Sequence, residues 1–321
     1  MPERYAIESS EHAQAGTVYT LWDQAAGVSA SAAPKRGFIW SSLGLRHPNL
    51  GPVELLHQGS GFGRPDQLDG MSPVLFPVVG RLRRGEDSGV YVYGARKYQM
   101  DVHGFAKDRP WGHVQADADH QGAFVRACLS DDADTRRSYP FAFEYELTYR
   151  LLEGALHVEV AIHSEGPFSV GFHPFFNTPF VPGLGKKTDC ALRIPARRYW
   201  LLENLVPTRE VQELNENYDL PEGVDCGQLD IDQVFTDLAT DQRGVHRSSL
   251  WDRASGIRID VESALEPFPE IVVCSPRDKP FVCIENWTDP PNILNWEETW
   301  TSRCPSSLEG RIRIKPSVLS E

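Results

Sequence analysis

Three phrases in this 321-residue chain carry side chains that can move protons at neutral pH. They are His103-Gly104-Phe105-Ala106-Lys107-Asp108, Gly171-Phe172-His173-Pro174-Phe175-Phe176 and Val282-Cys283-Ile284-Glu285-Asn286-Trp287. Each sets a histidine or a glutamate beside Gly, Pro and large aromatics, or at the end of an apolar run. That is the composition of a cleft in which protons are exchanged against an apolar wall. Glu285 closes the run Phe281-Val282-Cys283-Ile284 and, by strand alternation, shares a face with Phe281 and Cys283. A carboxylate there is partly desolvated, which raises its pKa and makes it a better proton acceptor. A strand-end glutamate paired with an arginine on the rim fits the same position.

His173 precedes a proline, which restricts it to an extended conformation, and an imidazole titrating near neutrality is a natural general acid. A core histidine satisfied by a backbone carbonyl is equally compatible with the spacing. His103 suits a catalytic donor, a metal ligand or a turn histidine, although no second His or Cys stands at a usual local ligand spacing. Arg81 follows the apolar stretch 73–80, where a guanidinium can hold hydroxyls or a carboxylate, or form an ordinary salt bridge. Asp232 can accept hydrogen bonds from two adjacent hydroxyls, or cap a turn. His157 and His163 lie on one strand face, six residues apart, too far for a compact zinc site, and are expected to be solvated. No nucleophile elbow, metalloprotease helix or dinucleotide fingerprint is present. The glycines of 59–63 lack the strand-to-helix context of a phosphate loop and read as a flexible loop.

Positioning such groups falls to strands. In Phe143-Glu144-Tyr145-Glu146-Leu147-Thr148-Tyr149-Arg150 the apolar and polar residues alternate strictly. Past a turn at Glu153-Gly154, Leu156, Val158, Val160 and Ile162 form one face of a partner strand, which makes a hairpin. Further strands are expected at 90–93, 257–262, 271–274, 281–285 and 311–315. Twenty-four prolines and 26 glycines punctuate these runs, and no helix of more than about three turns carries an apolar stripe. Many short strands without alternating helices predict an all-β chain, a large antiparallel β-sandwich with few short helices, as a single domain over 1–321.

A formal net charge of −13 disfavours nucleic acid and anionic membrane surfaces as partners. No apolar run is long enough to span a membrane, and residues 1–5 show no signal peptide. The six cysteines are thinly spread, with no CxxC spacing, which predicts a reducing, cytoplasmic setting.

Taken together, the phrases resemble the aldose 1-epimerase (galactose mutarotase-like) family, and its branch with His-Gly-Phe in the first histidine phrase. The matching stretches, in family order, are Leu75-Phe76-Pro77 with Gly80-Arg81-Leu82, His103-Gly104-Phe105-Ala106, Tyr139-Pro140-Phe141, Gly171 to Phe176, Asp232-Gln233-Val234-Phe235 and Cys283-Ile284-Glu285. The resemblance implies Glu285 as general base and His173 as general acid. It makes His103 and Arg81 assistants at the ring oxygen and neighbouring hydroxyls, and Asp232 a holder of sugar hydroxyls. It further implies a sugar or sugar phosphate as the small-molecule partner, no metal, nucleotide or redox cofactor, and a monomer or homodimer. Trp111, Trp287, Phe175 and Phe176 are candidates to stack on the sugar, and core packing suits each of them as well. Two departures stand where substrate choice is expected to be set: Lys107 in place of the usual Arg, and Asn286 in place of Pro. A hexose-6-phosphate 1-epimerase, using Arg81, Arg83, Arg84, Lys97 and Lys107 as a phosphate clamp, and a non-catalytic sugar-binding protein are the alternatives.

Overall fold

The computed structural model describes residues 3–63, 68–215, 220–302 and 306–319. The expected hairpin is present as Phe143–Leu152 paired with Ala155–Ser164, its register running from Phe143 opposite Ser164 to Leu152 opposite Ala155. Glu153 and Gly154 both take positive φ, the conformation that matches a two-residue turn to strand twist. The inward row Phe143, Tyr145, Leu147, Tyr149 and Leu151 is buried, as the alternation requires. The other expected strands form too, with longer bounds for four of them: Val90–Tyr93, Ile257–Ala264, Glu270–Ser275, Phe281–Trp287 and Ser306–Val318.

Three antiparallel sheets make up most of the structure. A nine-stranded sheet runs Gly112–Asp119, Gly122–Ser130, Phe143–Leu152, Ala155–Ser164, Ser306–Val318, Ile257–Ala264, Val245–Asp252, Cys190–Arg193, Val224–Asp225. An eight-stranded sheet runs Val206–Glu213, Ala196–Glu203, Ile231–Leu238, Glu270–Ser275, Phe281–Trp287, Gly171–Phe172, Val74–Leu75, with Phe175–Asn177 also pairing Phe281–Trp287. A five-stranded sheet, Tyr5–His12 through Gly51–Glu54, packs on the first. Among the described residues the only α-helices are Thr135–Ser138 and Glu297–Ser302.

One contiguous apolar cluster reaches from Tyr5 to Ile314. At its centre Phe76 is ringed by Phe105, Tyr139, Phe143, Tyr145 and Phe168, with ring centroids 5.0 to 6.2 Å away. Packing thereby fixes the backbone of Phe76, whose carbonyl accepts from the N–H groups of Phe105 (3.0 Å) and Ala106 (3.1 Å). The core thus anchors the loop that bears His103. Trp111 belongs to this core: it packs against Phe38 and Tyr145 and donates its indole N–H to the carbonyl of Ala106. Phe176 is likewise buried, against Trp40. Neither lines the cleft described below, so of the two readings core packing holds for both. His157 also departs from expectation. It is half-buried, opposite Arg150 on one strand and Arg313 on the other, and burial first, then these arginines and Arg311, push its pKa down to about 4.

Candidate active site

The concave face of the eight-stranded sheet is a grid. Strand register sets Asp232 opposite Cys274, and Cys274 opposite Cys283; the next row is Val234, Val272 and Glu285; the next is Glu270 opposite Trp287. Alternation places Cys283, Glu285 and Trp287 on this one face, and Asn286 on the other. His173 enters from the break between the strands Gly171–Phe172 and Phe175–Asn177, where Pro174 interrupts the ladder. Its ring stacks on Phe175 at 4.4 Å, and its Nε2 lies 3.3 Å from Glu285 Oε1. Gly171 makes room for the neighbouring indole: a Cβ there would sit 2.4 Å from a Trp287 ring carbon.

His103 is held by a reciprocal pair of bonds. Its backbone N–H donates to the Gly80 carbonyl at 2.9 Å, and the Gly80 N–H donates to His103 Nδ1 at 3.0 Å. Nδ1 is therefore the acceptor nitrogen, and in the neutral ring the proton resides on Nε2. The residue takes φ 65°, which histidine tolerates better than most side chains, and Gly104 follows at φ 71°. A Cβ on Gly104 would approach the Phe76 carbonyl oxygen to 2.2 Å, so only glycine lets the loop lie this close to the core. The rings of His103 and His173 meet edge to face at 5.5 Å, and those of His103 and Trp287 at 5.7 Å.

Arg81, His103, His173, Asp232, Glu285 and Trp287 line one cleft, with an apolar wall of Val102, Leu202, Leu205, Val234, Val272 and Pro291. Six of the seven residues singled out by the sequence thus converge, from segments more than 200 positions apart. Lys107 does not line it; its ammonium donates to the Gly104 carbonyl and pairs with Asp108. The apolar wall was not legible in the sequence. Leu202 and Leu205 flank a hairpin turn in which Asn204 and Leu205 have positive φ, and asparagine in such a turn was the one available signal.

Desolvation dominates the electrostatics. Burial pushes the Glu285 carboxyl well above the usual range, Cys274 and Asp232 add to this, and the Trp287 indole N–H, donating to Oε2 at 3.1 Å, opposes it. Burial holds His173 down at about 4. Burial, then the proximity of His173, Lys107 and Arg81, holds His103 well below the imidazole range. At the exposed mouth the surrounding wall raises Asp232 while Arg81 pulls it down. No side-chain hydrogen bond or ion pair joins Arg81 or Asp232 to a described residue, and both side chains line the cleft. The arrangement can take a proton at one point of a bound molecule and return one at another, within a few ångströms.

A larger groove, of about 660 Å³, lies along the nine-stranded sheet. It is lined by charges already paired, such as Arg313 with Glu262 and Arg311 with Glu159, and holds no histidine or cysteine. It offers no comparable chemistry.

The family model for aldose 1-epimerase matches residues 46–304. The chain belongs to the aldose 1-epimerase family. Among curated relatives, the plasmid-borne LacX protein of Lactococcus lactis subsp. lactis is 25% identical over 236 residues, 70% of this chain and 75% of its own. Among solved structures, the Slr1438 protein from Synechocystis sp. PCC 6803 is 26% identical, with a TM-score of 0.75 over 94% of this chain and 96% of that one. A galactose mutarotase-like protein from Clostridium acetobutylicum, 22% identical, shares the fold with a TM-score of 0.81 over 98% and 99% of the two chains.

Both departures from the family phrases prove to lie off the cleft. Asn286 is buried behind the sheet, where its amide donates to Ser263 Oγ at 3.0 Å, and Ser263 in turn meets His246 Nε2 at 2.8 Å. The expectation that Asn286 and Lys107 stand where substrate is chosen is therefore corrected: strand alternation turns one inward, and the fold of the loop ties the other to Asp108. Trp287 does line the cleft, and it also donates to Glu285.

Proposed function

We propose that the protein interconverts the α and β anomers of a cyclic aldose through ring opening and reclosure. The observation that carries this reading is the pairing of Glu285 Oε1 with His173 Nε2 at 3.3 Å in a cleft that also presents His103. Burial disfavours charge on both members, so at neutral pH the pair holds one proton between them. With the shared proton on His173, Glu285 is the carboxylate that removes the proton of the anomeric hydroxyl, and His173 delivers its proton to the ring oxygen. The C1–O bond to the ring opens, the free aldehyde rotates about C1–C2, and the reverse transfers close the ring on the other face. His103 donates through Nε2–H to the ring oxygen or a neighbouring hydroxyl. Arg81 and Asp232 hold outlying hydroxyls. Positioned acid–base groups accelerate such transfers by about 10²–10⁴-fold, and holding both at once adds an orientation advantage.

Phosphate recognition gains little support from Arg81, Arg83, Arg84, Lys97 and Lys107. Lys97 pairs with Asp87, Lys107 with Asp108, and of the five only Arg81 lines the cleft. We therefore place a free aldose ahead of a hexose 6-phosphate. One observation favours the phosphate: a polar chamber beside the cleft shares Arg81 with it and adds Arg83, Ser88 and Asn204. Polarimetry on fresh α-glucose, α-galactose and their 6-phosphates separates the two. Faster relaxation of the free sugars is expected; acceleration of the phosphates alone would reverse the preference, and binding without acceleration of any would leave a sugar-binding protein.

A further inference from the structure

The catalytic pair has a third neighbour that the proposed proton chemistry does not use. Cys283 Sγ, a His173 ring nitrogen and a Glu285 carboxylate oxygen all lie within 4.8 Å of one another, and all three residues are buried. Cys274, directly opposite Cys283 in the ladder, is a free thiol packed against it. We propose that Cys283, His173 and Glu285 form a binding site for a zinc-class divalent cation, and that its occupation shuts off epimerase chemistry.

Sulfur, imidazole nitrogen and carboxylate oxygen are the donor types of zinc sites, and three protein donors with a fourth position open to the cleft make a four-coordinate centre. A thiolate donor selects zinc-like ions over magnesium or calcium. On binding, two protons leave to solvent, the thiol proton of Cys283 and the one shared by Glu285 and His173, so that Glu285 coordinates as carboxylate and His173 as neutral imidazole. A dication with one thiolate and one carboxylate carries no net charge, so the apolar floor of Phe175 and Phe281 around Cys283 is no obstacle to it. Stacking on Phe175 holds the His173 ring with Nε2 toward Glu285 Oε1, so Nε2 is the nitrogen that an ion shared with Glu285 takes. Cys274 remains beside the bound sulfur as its neighbour across the ladder. An ion seated there occupies both the lone pair of Glu285 and the nitrogen of His173, so neither can exchange a proton with sugar.

The inhibitory part rests on the proposed epimerase reading; the metal site itself does not. Zinc should inhibit anomer exchange at concentrations on the order of micromolar, reversibly on adding a chelator. Cys283→Ser should keep its metal-free rate and need at least about tenfold more zinc for the same inhibition. Cobalt(II) provides the readout independent of turnover: wild type should develop thiolate-to-cobalt charge-transfer absorption that Cys283→Ser lacks. Absence of that band in the wild type, or equal zinc sensitivity of the serine variant, overturns the proposal. Should Cys283→Ser fail to fold, the cobalt spectrum of the wild type decides alone. A cobalt band in a protein without anomer exchange would retain the metal site and remove the epimerase reading instead.

Discussion

The Gly80 N–H that points at His103 Nδ1 decides where that imidazole keeps its proton, and the burial of the ring keeps it neutral. His103 thus serves as a donor whose state does not change across the physiological range. The His173–Glu285 pair behaves differently, because its two members share one proton. Acidification adds a second proton at His173, whose folded value is about 4, and alkalinity removes the shared one above the raised value of Glu285. A kcat/KM profile flat through neutrality is expected, with an acid limb near 4; a limb near the ordinary imidazole value of about 6.5 would contradict a desolvated His173. Glu285→Gln retains an oxygen to accept from Trp287 but no base. Turnover should fall by about 10²–10⁴-fold with an unchanged circular-dichroism spectrum, and near-normal turnover would remove Glu285 from the mechanism.

Strands and turns supply the precision that these residues need. Gly104→Ala would drive a methyl group into the Phe76 carbonyl at a φ of 71°. A loss of about 1–3 kcal/mol, read by thermal or denaturant unfolding, is expected from backbone strain of this kind; an unchanged midpoint would show that the loop relaxes freely. Glu270 offers a second test at this scale. It lies opposite Trp287, is 5% exposed, and accepts from the Trp200 indole and Thr236 hydroxyl at 3.1 and 3.2 Å. Burial, helped by Asp289 and opposed by those two donors, raises it to about 8. Since the unfolded carboxyl titrates near 4.3, the folded state binds more protons between about 4.3 and 8 and loses stability as pH rises through that window. Glu270→Gln has no such proton to lose. Its unfolding midpoint should gain on the wild type from pH 5 to 8, and a constant difference would show that Glu270 titrates normally. The elements that carry strict alternation, such as Phe143–Leu152, were legible in the sequence because one face is buried. The N-terminal sheet was not: Val28–Ala33 reads Val-Ser-Ala-Ser-Ala-Ala, and small residues give little periodic contrast.

Across the whole molecule, Arg81, His103, His173, Asp232 and Glu285 converge because the eight-stranded sheet and the loop anchored on Phe76 bring them to one cleft, while Tyr139 of the remaining phrase packs in the core against Phe76. Sequence spacing indicated which residues could do chemistry, and it could not show which side of a strand each would occupy once register and loop geometry were set. Hence Glu285 and His173 meet in the cleft, while Asn286, Lys107 and Trp111 lie elsewhere. The five described cysteines are free thiols, and Cys304 lies outside the described residues. No described helix is long and apolar enough to cross a membrane. Anomer exchange at equilibrium is the most direct test of the central proposal, since it requires no coupled reaction and no net conversion. Exchange NMR on an equilibrated aldose should show α-to-β cross-peaks growing far faster with the wild type than in buffer, and at the buffer rate with Glu285→Gln. Exchange at the buffer rate for every aldose and aldose phosphate tried with the wild type, or undiminished exchange in the variant, would contradict it.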